Sequence, residues 1–365
     1  LIKFYQKKNK RQLDMENNSS NRIFYILLFF AVILAGILCK VMSSVFIPTV
    51  LSFMLSFVLL PVIKKLNVKT GIPWVISSLI IVLMFLIFIF ALTSILVTSL
   101  TGIVSELPKY QSRFTSIYKI IADKFGFEID TSISLFENLW KSLKVREFAQ
   151  KTAVALSSGV ISFSKTMFII SITTAFILIE MRLTKRKIYY AFKKNREQIS
   201  RISHQIITQT VHYISIKFFI SLATGILVFL LTLLIGLDFP VVWGFFAFIM
   251  NFIPIFGSTF SVGLTSIFAL IQFYPSWGKS LIVFVVMTIF NTTLGNILEP
   301  RIEGKNLGIS PVAILISLSI WGYIWGFIGM LIAVPLTVII KIICENIEYL
   351  HSVAIILGGD PKRIT

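Results

Sequence analysis

The sequence predicts an all-α, polytopic helical membrane protein, and three observations carry that expectation. Of 365 residues, 56% are apolar and only 14% are charged, against about 25% charged in ordinary soluble domains. Phenylalanine alone supplies 34 residues and mean hydropathy is +0.89, so too little charged surface exists to cover the apolar mass in water. The apolar residues also fall in long continuous runs, not in the alternating segments of about ten residues that mark an outer-membrane barrel. This abundance of aromatic and β-branched residues excludes disorder. Cys39 and Cys344 both lie in apolar runs, which excludes a disulfide scaffold.

The net charge of +18 reads as topology. Lys3, Lys7, Lys8, Lys10, Arg11 and Arg22 precede the first apolar run, and Lys64, Lys65 and Lys69 share one short loop. Arg182, Lys185, Arg186, Lys187, Lys193, Lys194, Arg196, Arg201 and Lys217 occupy one later segment. All three groups fall on one side of the bilayer in the topology below, as the positive-inside rule expects. The partner expected is therefore the lipid bilayer, with no nucleic acid.

Taken in order, residues 1–22 form a cytoplasmic basic tail. They and the apolar run after them resemble a signal peptide, but no small-residue cleavage site follows, so an uncleaved span is expected. Residues 23–101 hold the first three spans (23–39, 45–63 and 74–100), with a basic loop at 64–69. Each approaches the roughly twenty apolar residues that cross about 30 Å of hydrocarbon. Residues 102–152 differ in kind. Tyr110, Phe114, Tyr118, Ile121 and Phe125 recur at helical spacing, as do Phe136, Trp140, Leu143 and Phe148. Two extracytoplasmic amphipathic helices are expected there. A fourth span follows at 153–179, then a cytoplasmic basic segment at 180–215. His204 and His212 share a helical face in it, but two histidines without a third ligand make a poor metal site.

Residues 216–343 form a C-terminal transport half, and 344–365 a cytoplasmic tail. Crossings are expected at 216–235 and 279–298. Two further apolar stretches read as hairpins: 240–274, folding back near 251–258 where Asn, Pro and Gly break the helix, and 311–343, folding back near 321–329. Each hairpin begins and ends on one side, so both chain termini are cytoplasmic whether the hairpins cross fully or only dip in. Gly236, Pro240 and Gly257 are echoed by Gly308, Pro311 and Gly329, and the two preceding crossings run in opposite directions. That is the pattern of an inverted repeat, in which sites form at broken helices near the midplane.

Broken helices leave backbone groups that lipid cannot satisfy, and a polar solute, an ion or water can. The candidate substrate- or ion-binding residues are those at or beside the breaks: Asn251, Pro254 and Gly257 in the first hairpin, Asn291 and Asn296 in the following crossing, and Glu299, Pro300 and Arg301 just after it. Asp238 is the remaining ionisable group nearby. Ionised groups at membrane depth cost about 3 kcal/mol on insertion scales, so each needs a structural or functional reason. Gly278-Lys279-Ser280 imitates the end of a P-loop, but Phe273 stands where the leading glycine belongs. No zinc-hydrolase motif and no nucleophile–histidine pair is present in the spans. No catalytic residue, metal or cofactor is expected.

The runs NFIPIFGS (251–258), N-x-L-E-P-R-I-x-G-K-x-L-G-I-S-P (296–311) and W-G-F-I-G-M-L-I-A-V-P (325–335) together resemble the autoinducer-2 exporter family of bacterial permeases. The resemblance implies about eight spans, a homo-oligomer in the bacterial inner (cytoplasmic) membrane, and secondary transport without ATP. Its members include exporters of a small polar metabolite, autoinducer-2, and others resembling sodium (or other cation)/proton antiporters. An uncharged, hydroxyl-rich solute suits amides and free backbone groups. Antiport needs a carboxylate titrating near neutrality, for which Asp238 and Glu299 are the candidates. A third reading, a non-transporting envelope scaffold, places the weight on the 102–152 helices.

Overall fold

In hydrocarbon every backbone N–H and C=O must be bonded within the protein, and a helix does this from its own residues. A computed structural model describes residues 26–125, 145–191, 196–254, 256–303 and 308–358. Among these, the one extended pairing is an isolated bridge between Ile309 and Gly358. Helix α1 (Ile26–Val41) is joined through Met42 to α2 (Ser43–Thr70). Then come α3 (Trp74–Phe125), α4 (Val145–Ala191), α5 (Arg196–Ile235), α6 (Pro240–Met250), α7 (Phe256–Phe273) and α8 (Trp277–Asn291). A π-helical stretch, Thr292–Leu298, leads into the short α9 (Glu299–Glu303). Next are α10 (Pro311–Glu345) and α11 (His351–Leu357). Seven helices among the described residues are long and apolar enough to cross a membrane, and α1 and α6 are shorter apolar helices.

Two local expectations change. The basic stretch 64–69 is not a loop. Helix α2 continues to Thr70 and stops at Gly71, whose φ of 70° takes the left-handed conformation a helix C-terminus favours. Lys69 thus lies in the last turn, where the helix dipole welcomes a cation. Helix α3 runs straight past position 102, so the first expected amphipathic helix is its continuation. At about 1.5 Å per residue, its 52 residues extend about 78 Å, far longer than the bilayer core. The second expected amphipathic helix, including Phe136, Trp140 and Leu143, falls largely outside the described residues. The tails 1–22 and 359–365 fall outside them too.

Helices α2, α3 and α4 pack through small polar residues that let backbones approach, as membrane helices commonly do. Ser52 donates to the Ile170 carbonyl at 3.1 Å, and the Trp74 indole N–H donates to the Leu178 carbonyl at 2.8 Å. Leu59, Leu60, Ile63, Val82 and Leu178 fill the space between. A second core joins α5, α6, α7 and α8 through Val228, Trp243, Ala247, Val262, Ala269, Val283 and Met287. Tyr213 and Ile214 of α5, with Val334, Val338 and Ile342 of α10, tie the two groups together, packing against Met54, Phe57 and Val58 of α2.

Both stretches expected to fold back do so. In α6–α7 the Trp243 and Phe268 rings lie 5.0 Å apart, and Phe246 and Phe260 6.0 Å apart. In α10 the helix is interrupted at Trp325 and Gly326, the latter at φ 61°, ψ −141°, a conformation open to glycine alone. Ser317 of the first arm then donates to the Ala333 carbonyl of the second at 3.1 Å. One glycine seals each tip. A Cβ on Gly257 would lie 1.7 Å from the Met250 carbonyl oxygen, and one on Gly329 would lie 1.9 Å from that of Trp321.

Candidate functional site

Helix α5 is the ruler against which the first hairpin is set. Gly225 and Gly244 bring α5 and α6 into backbone contact, since a Cβ on either would lie within 2.9 Å of the other's carbonyl oxygen. Phe218 and Phe248 cross edge to face at 5.9 Å. The antiparallel register carries the tip down to Ser221, whose Oγ accepts from the Asn251 amide at 3.0 Å, both residues buried. Ser221 is 14 residues from the Ile235 end of α5, or about 21 Å. The first hairpin thus reaches about 21 Å along α5 from that end.

One helical turn from Ser221, on the same face of α5, lies Lys217. Its ammonium donates to Glu299 Oε1 at 2.5 Å, with side-chain exposures of 6% and 13%. This ion pair is nearly dry, so its strength comes with a large desolvation cost, and removing one partner strands a buried charge. Glu299 follows directly on the π-helical turn, and its own N–H bonds back to Leu294. Pro300, with no N–H, leaves a carbonyl of the preceding turn without its backbone donor. π-Helical turns recur at functional sites because they shift side chains out of α-helical register. Ile253 of the first hairpin's tip packs on Leu318 and Ala333 of the second hairpin. Tip, ion pair and second hairpin thus converge within two turns of α5.

The sequence-derived candidates divide accordingly. Asn251, Pro254 and Gly257 form the tip, and Glu299 joins it through the neighbouring turn of α5. Arg301 and Pro300 stand beside Glu299 but are exposed; Glu299 bonds to Lys217, not to Arg301 two residues away. Asn291 is half-buried at the end of α8, and Asn296 is exposed on the π-helical turn. Asp238 lies at the other end of α5, about 27 Å from the level of Lys217. There it belongs to an anchor. The Tyr110 hydroxyl donates to its carboxylate at 2.5 Å, Gln272 Oε1 accepts from its N–H at 2.8 Å, and its carbonyl accepts from the Trp243 indole at 3.1 Å. Gln272 also donates to the Gly236 carbonyl at 2.9 Å. Burial, then the bond to Asp238 and its charge, hold the Tyr110 phenol well above its ordinary value, with Glu106 adding and Arg113 opposing.

Lys217 and Ser221 were not among the sequence candidates. A signal existed: a lone lysine inside the apolar run ISIKFFISLATG, with a serine four residues on. A second buried lysine, Lys341, pairs with Glu345 at 3.0 Å, and Gln205 of α5 reaches the same carboxylate at 3.5 Å.

Helix breaks held inside an apolar bundle, with ionisable side chains brought to them, are the architecture of proteins that carry polar solutes through lipid. The chain belongs to the AI-2E transporter family: the description AI-2E family transporter matches residues 23–349. A putative transport protein of Borreliella burgdorferi is 34% identical over 72% of this chain and 70% of its own length. The putative transport protein YhhT of Escherichia coli K12 is 30% identical over 91% of this chain and 93% of its own. The AI-2 transport protein TqsA of the same strain is 26% identical over 94% and 97%. The chain is thus a polytopic membrane transport protein, not an enzyme.

Proposed function

We propose that the protein is a secondary transporter of the bacterial inner membrane that exports a small polar metabolite of the autoinducer-2 kind, in the oligomeric form the family resemblance implies. The observation that carries the reading is the meeting of the Asn251 tip and the Lys217–Glu299 pair on adjacent turns of α5. In the orientation expected from the basic segments, the first hairpin enters from outside and its tip closes the path above a cytoplasmic ion pair. The second hairpin enters from inside, and the two related hairpins work as opposed gates of an inverted repeat. The likeness to the AI-2 transport protein TqsA supports the choice of solute. Cation/proton antiport is the weaker reading, because Asp238 is tied into the anchor and Glu299 faces a lysine.

The test is uptake of labelled autoinducer-2 into proteoliposomes, with and without an imposed proton gradient. Movement above protein-free liposomes that is lost in Asn251→Ala, with folding intact, is the expected result. Absence of movement, alongside sodium-driven proton exchange, would shift the function to antiport.

A further inference from the structure

We propose that the site takes an anionic solute, a carboxylate or other oxyanion bearing hydroxyl groups, which replaces Glu299 on Lys217. This rests on the transport reading above and changes its substrate from an uncharged polyol to an anionic one.

Three features point the same way. Lys217 is 4% exposed and sits within the long helix α5, so its ammonium is largely shielded from water and needs an anion wherever Glu299 goes. Glu299 is the partner able to leave. It stands at the first position of a five-residue helix, between a π-helical turn and a proline, and is the more exposed of the two. An uncharged solute that parted the pair would strand a buried ammonium, which is strongly unfavourable. A cation drawn to Glu299 would meet Lys217, a like charge. An oxyanion meets neither obstacle, since it supplies the acceptor that Lys217 loses. The Asn251 amide and Ser221 hydroxyl, one turn along the same face, then fit hydroxyl groups on the solute.

Gluconate and sorbitol differ by a single carboxylate on a six-carbon polyol and serve as probes. Thermal unfolding of the purified full chain in lipid nanodiscs is measured with each, against sodium chloride at equal ionic strength. In the wild type, sodium gluconate should raise the midpoint saturably, while sorbitol and chloride should not. Glu299→Gln frees Lys217 from its internal competitor, so gluconate should bind at least tenfold tighter and restore the midpoint lost by the substitution. Lys217→Gln should abolish the response. Lys217→Arg, which keeps the charge, should retain it and guards against misfolding in Lys217→Gln.

Equal stabilisation by sorbitol, an undiminished response in Lys217→Gln, or failure of gluconate to rescue Glu299→Gln would each overturn the proposal. Because this readout is binding and the proteoliposome assay reads movement, the two readings fail separately. A gluconate response without transport removes the function alone. Transport of a neutral polyol untouched by Lys217→Gln removes the anion class alone.

Discussion

Placing one methyl group at Gly257 tests whether the first hairpin's tip is as tight as its geometry says. The added Cβ would sit 1.7 Å from the Met250 carbonyl oxygen and 2.6 Å from its carbon, both backbone atoms. Reaching even 3.0 Å demands a backbone separation of about 1.3 Å. Such a shift also strains the neighbouring Asn251–Ser221 bond. Overpacking of this kind costs about 1–3 kcal/mol, and with backbone on both sides the cost belongs at the upper end, about 3 kcal/mol. Gly263, further along α7, has nothing within 4 Å of its Cβ position. There the same change should stabilise the helix by roughly 0.5–1 kcal/mol. Equilibrium unfolding of Gly257→Ala and Gly263→Ala in identical micelles should therefore separate the two by about 3.5 kcal/mol. A Gly257→Ala protein as stable as its Gly263→Ala counterpart would refute the close contact at the tip.

Four further outcomes are expected. Lys217→Met and Glu299→Met should each destabilise by about 3 kcal/mol, while the double variant recovers most of the loss; additive losses in a double-mutant cycle would contradict the buried pair. Gln272→Leu strips two polar partners from the Gly236–Asp238 turn and should cost about 2 kcal/mol, read as a lowered unfolding midpoint. Trp325→Phe removes the indole bond to the Cys39 carbonyl, 2.8 Å long, and should cost about 1 kcal/mol; an unchanged midpoint would count against that contact. The raised pKa of Tyr110 means the folded state keeps a proton that the unfolded chain releases near pH 10. Stability from this group is thus complete below pH 10 and declines as pH rises above it. Tyr110→Phe should flatten that decline in unfolding curves measured from pH 9 to 11.

The helices and both fold-back points were legible because each depends on local chemistry: long apolar runs, and glycine or proline where a run must break. The tip residues Asn251 and Gly257 followed from the same logic. Lys217 did not, because a lysine that borders a basic segment counts equally well toward charge asymmetry. Its partner lies 82 residues away, and no one-dimensional pattern links α5 to the turn after α8. Asp238 was legible as an unusual charge, but its partners were not, since Tyr110 and Gln272 come from two separate helices. The uninterrupted α3 was obscured because polar residues enter at 105 and beyond while helical periodicity persists.

The polar fastenings of the first hairpin are unequal along its length. At its root, the first hairpin is riveted by Gln272, Tyr110 and Trp243. Among the described residues, a neutral amide–hydroxyl bond fastens its tip to α5, and the Trp325 indole bond to the Cys39 carbonyl fastens the tip of the second hairpin. A neutral bond of this kind contributes about 1 kcal/mol, roughly a fivefold bias in population. Thermal motion can lift a fastening that weak many times during the life of the folded state, whereas the root stays shut. The first hairpin is built like a hinged flap, stiff where it is sewn in and lightly latched where a passing solute would meet it.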